Sequence, residues 1–241
     1  MSRSAWLTNV FRAAGLVLAL GVSMSAYSAT KSYKEEVLLH DGKTLVVEHQ
    51  LELSPPTFEG RGQKELGETL SFMLPGTDKK IVWTTSFDDS SPEPNGLGAL
   101  LLDVVNGVPY LATSPSGCIS YNKWKRPNPP YIFFKYVGGE WKRIPLSDFP
   151  PELTHSNLMS TPDLRTLKPY YTVEQVRQQM EGRVIEPEAK TIYRKPIRAW
   201  LETCPVLVPI PGVPGGWETP GGARSIKSII VPPRAGGVNK N

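Results

Sequence analysis

Two-residue alternation dominates the chain once the first thirty positions are passed. Leu45, Val47, His49, Leu51 and Leu53 alternate with Thr44, Val46, Glu48, Gln50 and Glu52, the period of a strand with one dry and one wet face. Just before it, positions 37–39 are apolar and Asp41-Gly42 follows. That pair accepts the positive φ of a two-residue turn, so a hairpin is predicted. Pro55 and Pro56 end its second strand, because neither can donate to a ladder. Positions 57–68 are polar and without period, and read as an exposed loop. Leu70, Phe72 and Leu74 then share one face, and Ile81, Trp83, Thr85 and Phe87 continue as a partner strand. Positions 97–105 are apolar on both faces apart from Asp103, as a strand covered on each side requires. Asn106-Gly107 reverses this strand into 108–112, and Gly138-Gly139 makes a third tight hairpin of 131–137 with 140–146.

A helical period appears late. Thr172 is placed to cap, Glu174 and Gln175 fill the first turn, Val173, Val176 and Met180 share a face, and Gly182 is placed to stop the helix. Positions 191–201 read as one more strand. Five prolines and several glycines make 204–222 irregular or polyproline-like, and the last twenty residues offer little to bury beyond Ile226, Ile229, Ile230 and Val231. The predicted fold is mainly β, an antiparallel sandwich or curled meander of hairpins with one short late helix and roughly eight to ten strands. A propeller would need self-similarity at a period of roughly 40 to 50 residues, which the chain lacks.

The leading segment has another layout. Arg3 and Arg12 precede ten residues without charge or strong polarity at 13–22, and Ser23, Ser25, Ala26, Ser28 and Ala29 follow. A basic start, an apolar middle shorter than the ~20 residues of a bilayer span and small residues at the end describe a secretory signal peptide. Cleavage is expected after Ala26, Ser28 or Ala29, with an uncleaved anchor as the rival. The organisation is therefore a signal peptide at 1–29, a β-rich domain at 30–204 and a Pro/Gly-rich, partly disordered tail at 205–241. After cleavage no stable membrane span is expected, and the product belongs in the periplasm or outside the cell.

Export changes the charge arithmetic. The chain has 27 Lys and Arg against 23 Asp and Glu, but the leader holds two of the cations and no acid, so the mature balance is +2. That leaves no whole-domain footprint for nucleic acid. With 24 Pro and 21 Gly a long-helix protein is excluded, and three His with two Cys leave no four-thiolate or zinc-finger site. No phosphate-loop, dinucleotide, His-Glu-x-x-His or Gly-x-Ser-x-Gly motif occurs, so neither cofactor nor metal is expected. Asp88, Asp89, Glu93 and Asn95 match no calcium-loop spacing and read as a solvated acidic loop. In an oxidising compartment Cys118 and Cys204 are expected to form a disulfide.

Charge is concentrated at 121–143, where six basic residues accompany one acid, Glu140. Tyr121, Lys123, Trp124, Lys125 and Arg126 are the candidate contact residues. Flat rings stack on sugar faces while cations pair with carboxylates or phosphates of an envelope polymer. The competing account puts Trp124 and Trp141 in the core and the cations on a solvated rim. His49 falls on the dry face of its strand, where a buried hydrogen bond is expected to satisfy it.

One fragment points elsewhere. Ser116-Gly117-Cys118-Ile119 resembles part of the nucleophile motif of the L,D-transpeptidases, exported enzymes that cross-link peptidoglycan through a Cys thiolate. The resemblance implies an envelope-active enzyme with Cys118 as nucleophile. That family's motif has Ser three before the Cys, His two before and Arg two after, whereas Pro115, Ser116 and Ser120 stand here. The three His at 40, 49 and 155 supply no local base. The expectation is thus an exported, non-catalytic binding or assembly module of the envelope, with a polysaccharide or a protein as partner.

Overall fold

A computed structural model describes residues 29–56, 62–159, 162–182 and 186–221. The expected leader lies outside them except for Ala29, as does the chain beyond 221. Strands β1 (Ala29–Leu38) and β2 (Thr44–Leu53) form the first hairpin, in register from Ala29 opposite Leu53 to Leu38 opposite Thr44. Strands β3 (Glu65–Met73) and β4 (Lys80–Ser86) extend it antiparallel. The second sheet runs β5 (Leu97–Val105), β6 (Val108–Pro115), β7 (Ile132–Val137) and β8 (Glu140–Ile144), each antiparallel to the last. Its two hairpins turn at Asn106-Gly107 and Gly138-Gly139, where all four φ angles are positive, as two-residue turns of this type require.

Alternation decides what the sheets bury. Val37, Val47, Leu70, Phe72 and Ile81 of the first sheet meet Leu97, Ala99, Leu102, Leu111 and Ile132 of the second, making the sandwich core. The second sheet is covered again on its other face, where Leu101, Ala112, Phe133 and Ile144 pack under Phe149, Leu153 and Ile192. This double cover is why 97–105 reads as apolar on both faces.

The exception, Asp103, is 2% exposed. Its carboxylate accepts from the backbone N–H of His40 at 2.8 Å, contacts His40 Nδ1 at 2.7 Å and accepts from Val104 N–H at 2.7 Å. A bulge at Leu100 interrupts the β5 ladder, and Leu100 O accepts instead from the N–H groups of Asn157 and Leu158 at 3.1 and 3.2 Å. The Asn157 side chain donates to Leu38 O and Leu102 O and accepts from Leu102 N–H, all within 3.0 Å, so it also ties the two sheets together.

Later segments complete the molecule. Strand β9 (Tyr170–Tyr171) adds to β1 in parallel, giving the first sheet the order β4-β3-β2-β1-β9. It leads into the late helix α2 (Val173–Glu181), with α1 being Cys118–Lys123. Thr172 Oγ1 accepts from Gln175 N–H and the Gln175 side chain accepts from Thr172 N–H, a reciprocal N-terminal cap. A short helix α3 (Pro187–Lys190) follows.

Four sequence expectations change. Of the loop expected at 57–68, positions 57–61 lie outside the described residues and 65–68 belong to β3. The strand expected at 191–201 is absent: Thr191 makes a single bridge to His155, and 200–203 forms a 3-10 turn instead. Arg194 and Tyr193 find partners on other segments rather than on a neighbouring strand. The stretch around Cys118, for which the sequence predicts no element, contains α1. Packing also continues past residue 204, because Leu207 and Trp217 are buried and the pair β10 (Val208–Pro209) and β11 (Trp217–Glu218) folds back as a small hairpin.

Candidate functional site

Helix α1 is the hinge point of the basic stretch. At its start Cys118 is bonded to Cys204, with the two Cα atoms 5.3 Å apart. In this bonded state Cys118 offers no thiolate, and the nucleophile implied by the Ser-Gly-Cys fragment is not available. Asn122 donates to Pro205 O at 3.0 Å and accepts from Leu207 N–H at 3.0 Å, and Arg126 donates to Pro205 O at 3.1 Å. Asn128 donates to Ile197 O and to the Glu202 carboxylate. Lys123 Nζ donates to Asp88 O at 2.8 Å and to Asn95 Oδ1 at 3.0 Å. Residues 118–128 therefore clasp the C-terminal segment on one side and the 88–95 loop on the other.

This changes the roles expected for the candidate contact residues. Tyr121 is 2% exposed, with the Arg126 guanidinium 4.8 Å from its ring centroid, so it packs and offers no open face. Lys123 is also buried. Burial pulls its ammonium below the ordinary lysine value, with Asp89 and Asp88 opposing. Tyr131 is buried with its hydroxyl against Glu188 O and Thr191 O. Arg126 is half-buried and committed to the clasp. Lys125 is exposed, and Trp124 is half-buried with its indole N–H donating to Asn95 O at 3.0 Å.

An open surface does exist, displaced from α1 toward β7 and β8. The chain leaves α1 through Lys125 (φ 63) and Arg126 (φ 52), two consecutive non-glycine residues in the left-handed region, each costing about 1 to 3 kcal/mol. Their N–H groups bond Asn122 O and Tyr121 O. This turn sets Trp124 beside β8, with the Arg143 guanidinium 5.5 Å from its ring. Tyr136 and Trp141 face each other across the β7–β8 hairpin, edge to face at 5.4 Å. Lys79 Nζ lies 4.7 Å from the Tyr136 ring, and Trp141 Nε1 donates to Val82 O at 2.8 Å, joining the second sheet to β4.

Trp124, Tyr136 and Trp141 pack partly buried against the sandwich core, as the competing account expects, and their outer edges form one rim with Lys79 over Tyr136 and Arg143 over Trp124. The lone acid, Glu140, pairs with Lys142 at 3.1 Å. Rings with cations over them combine a stacking face with anion-pairing heads. Lys79 could not be placed here from sequence, because its contact crosses between sheets. The Tyr136–Trp141 pair was legible in the even spacing about Gly138-Gly139. Beyond the 88–90 loop lies a cleft of about 620 Å³ walled by Glu52, Lys64, Phe87, Asp89 and Gly215, where acids outnumber the single Lys.

The densest titratable cluster is internal. His49 Nε2 lies 2.6 Å from Glu35 Oε1 and His49 Nδ1 lies 2.7 Å from Glu68 Oε1, while Tyr33 stacks on the imidazole at 4.3 Å. Burial pulls the His49 imidazolium down, yet Glu35 and Glu68 outweigh it and hold it up at about 9. The sequence expectation of a buried histidine satisfied by hydrogen bonds is met by two carboxylates. A proton held between them leaves no free base at neutral pH. The bulge at Leu66, where Gly67 opposes Glu52 and Glu65 opposes Leu53, turns Glu65 to the same face as Glu68. Burial, then Glu68, raises the Glu65 carboxyl to about 7, with His49 opposing.

Among the described residues no helix is long and apolar enough to cross a membrane. Comparison with protein-family models, with characterised proteins and with solved structures finds no match to this chain.

Proposed function

We propose that this chain is an exported, non-catalytic module of the cell envelope that binds an acidic polysaccharide along the rim of Trp124, Tyr136 and Trp141. The observation that supports the reading is the placing of Lys79 and Arg143 over the rings of Tyr136 and Trp124, with the exposed Lys125 next to Trp124 in the chain. Sugar rings present apolar faces to the aromatics, and uronate or phosphate groups pair with the cations. Left-handed backbone at Lys125 and Arg126 adds to the case, since strain of this kind clusters at functional loops.

The test uses the mature protein with polygalacturonate as acidic probe and dextran as neutral probe. Binding to polygalacturonate that weakens with salt is expected, and none to dextran. Lys125→Glu with Arg143→Glu should lower the acidic binding at least ~10-fold while the melting temperature holds. Equal retention of both polymers, or indifference to the charge reversal, would sink the proposal. Sequencing the N-terminus of the product from a periplasmic fraction tests the export half separately.

A further inference from the structure

The inner face of the first sheet is not covered by the second sheet along its whole length. At the β1 start and β2 end, Tyr33, Leu51 and Leu53 are covered instead by Met159, Tyr171 and Val176, with Leu164, Leu167 and Met180 partly buried against them. This cap is fastened chiefly to β1. Glu35 on the inner side accepts from Met159 N–H at 3.0 Å, and Glu36 on the outer side accepts from the Tyr170 hydroxyl at 2.9 Å and from Val173 N–H at 3.1 Å. Lys31 Nζ donates to Leu164 O at 2.7 Å and Lys34 N–H to Pro169 O at 3.0 Å.

Glu35 serves two masters, since the oxygen pair that holds Met159 also holds His49. We propose that the cap formed by Met159 and residues 162–181 is a proton-linked latch, closed while the Glu35–His49–Glu68–Glu65 cluster keeps its protons and loosened when they leave. The groups facing the cluster are Lys31 and Tyr33 from β1, His49 from β2, Glu65 and Glu68 from β3, and Tyr171 from the cap. The cap's charges stand on its solvent side, where Arg165 bonds Asp163 and Arg177 bonds Glu174. One imidazolium stands between two carboxylates under the cap and Lys31 Nζ is committed to Leu164 O, so among the described residues ionising Glu65 adds a negative charge beside Glu68 with no cation bonded to it. Removing the His49 proton then leaves Glu35 and Glu68 against a neutral ring. Both losses come as pH rises, and the Tyr33 hydroxyl, buried without a hydrogen-bond partner, marks the place where entering water would gain a bond. Directions agree: Glu65 and His49 are both held above their ordinary values, at about 7 and about 9, so the closed form binds more protons than the open one.

Amide hydrogen exchange on the intact mature protein, corrected for intrinsic rates, reads the latch at about pH 6 and about pH 8.5. Protection of α2 amides such as Val176 is expected to fall by ~10-fold or more across this interval, while β6 amides such as Leu111 hold theirs. Glu65→Gln should make the fall shallower by about tenfold. Glu36→Gln, on the other side of β1, should lower cap protection equally at both pH values without changing the slope. Flat protection in the parent overturns the proposal, as does a β6 loss in step with α2. A Glu65→Gln slope as steep as the parent's does the same. If that variant does not fold, the parent's two measurements still decide.

Discussion

Opening the Cys118–Cys204 bond is the perturbation whose size follows most directly from the structure. The bond closes a loop with a sequence separation of 86, for which the chain-entropy model gives about 4 to 5 kcal/mol of stabilisation through the unfolded state. Native geometry around the sulfur atoms is held independently, because Asn122 and Arg126 both bond Pro205 O and Tyr121 packs with Leu201 and Cys204. The folded clasp should therefore survive reduction and the loss should fall on the unfolded side. For a chain of this size that is roughly 8 to 20 °C in melting temperature, at ~2 to 4 °C per kcal/mol. Urea titrations of the oxidised protein, the reduced protein and the Cys118→Ser/Cys204→Ser variant, followed by tryptophan fluorescence, give the comparison. The reduced forms should agree with each other and show a steeper denaturant dependence, since an uncrosslinked chain exposes more surface. A stability loss below ~1 kcal/mol, or two titratable thiols in the unreduced native protein, would refute the reasoning.

Asn157→Ala should cost about 2 to 4 kcal/mol in urea unfolding, because it strands the Leu102 N–H and removes donors from Leu38 O and Leu102 O together. Tyr33→Phe should leave stability unchanged or raise it by up to ~1 kcal/mol, since it deletes a buried hydroxyl without a partner. The Asp103 hydrogen bond raises His40 above its ordinary 6.5, so the pair's stabilisation is complete below that value and is lost as pH rises through the folded value. Melts of parent and Asp103→Asn across this range should converge toward the alkaline end. Lys123→Met should leave the sandwich folded but free the 88–95 loop, seen as faster exchange of the Leu97 and Gly96 amides, because Asp88 O and Asn95 Oδ1 lose their donor.

What the chain discloses in advance is what is local. Asn106-Gly107 and Gly138-Gly139 each dictate a two-residue turn by backbone conformation alone, and the strands on either side follow. At Asp41-Gly42 only Gly42 has a positive φ and the turn is longer than expected, spanning 39–43. Thr172 and Gln175 cap α2 as neighbours in sequence. The remainder depends on partners far along the chain. Nothing near Glu65 announces the bulge at Leu66 that turns it toward Glu68, because a bulge belongs to a pair of strands. Tyr121 and Lys123 read as surface residues until the segment at 202–217 arrives to cover them. The same applies to 191–201: its apolar positions do bury Ile192 and Ala199, Ile192 against the second sheet's outer face, but without a ladder.

The double cover of the second sheet fixes the order in which this protein can become whole. Leu101 and Phe133 acquire their outer neighbours only when Phe149, Leu153 and Ile192 have been made, and β1 waits for Tyr170 and Tyr171. A nascent chain emerging from its N-terminus thus carries sticky, half-dressed ribbons for most of its synthesis. Truncation anywhere before about residue 200 should yield inclusion bodies in place of a smaller domain, and a holdase that shields those ribbons should set the yield.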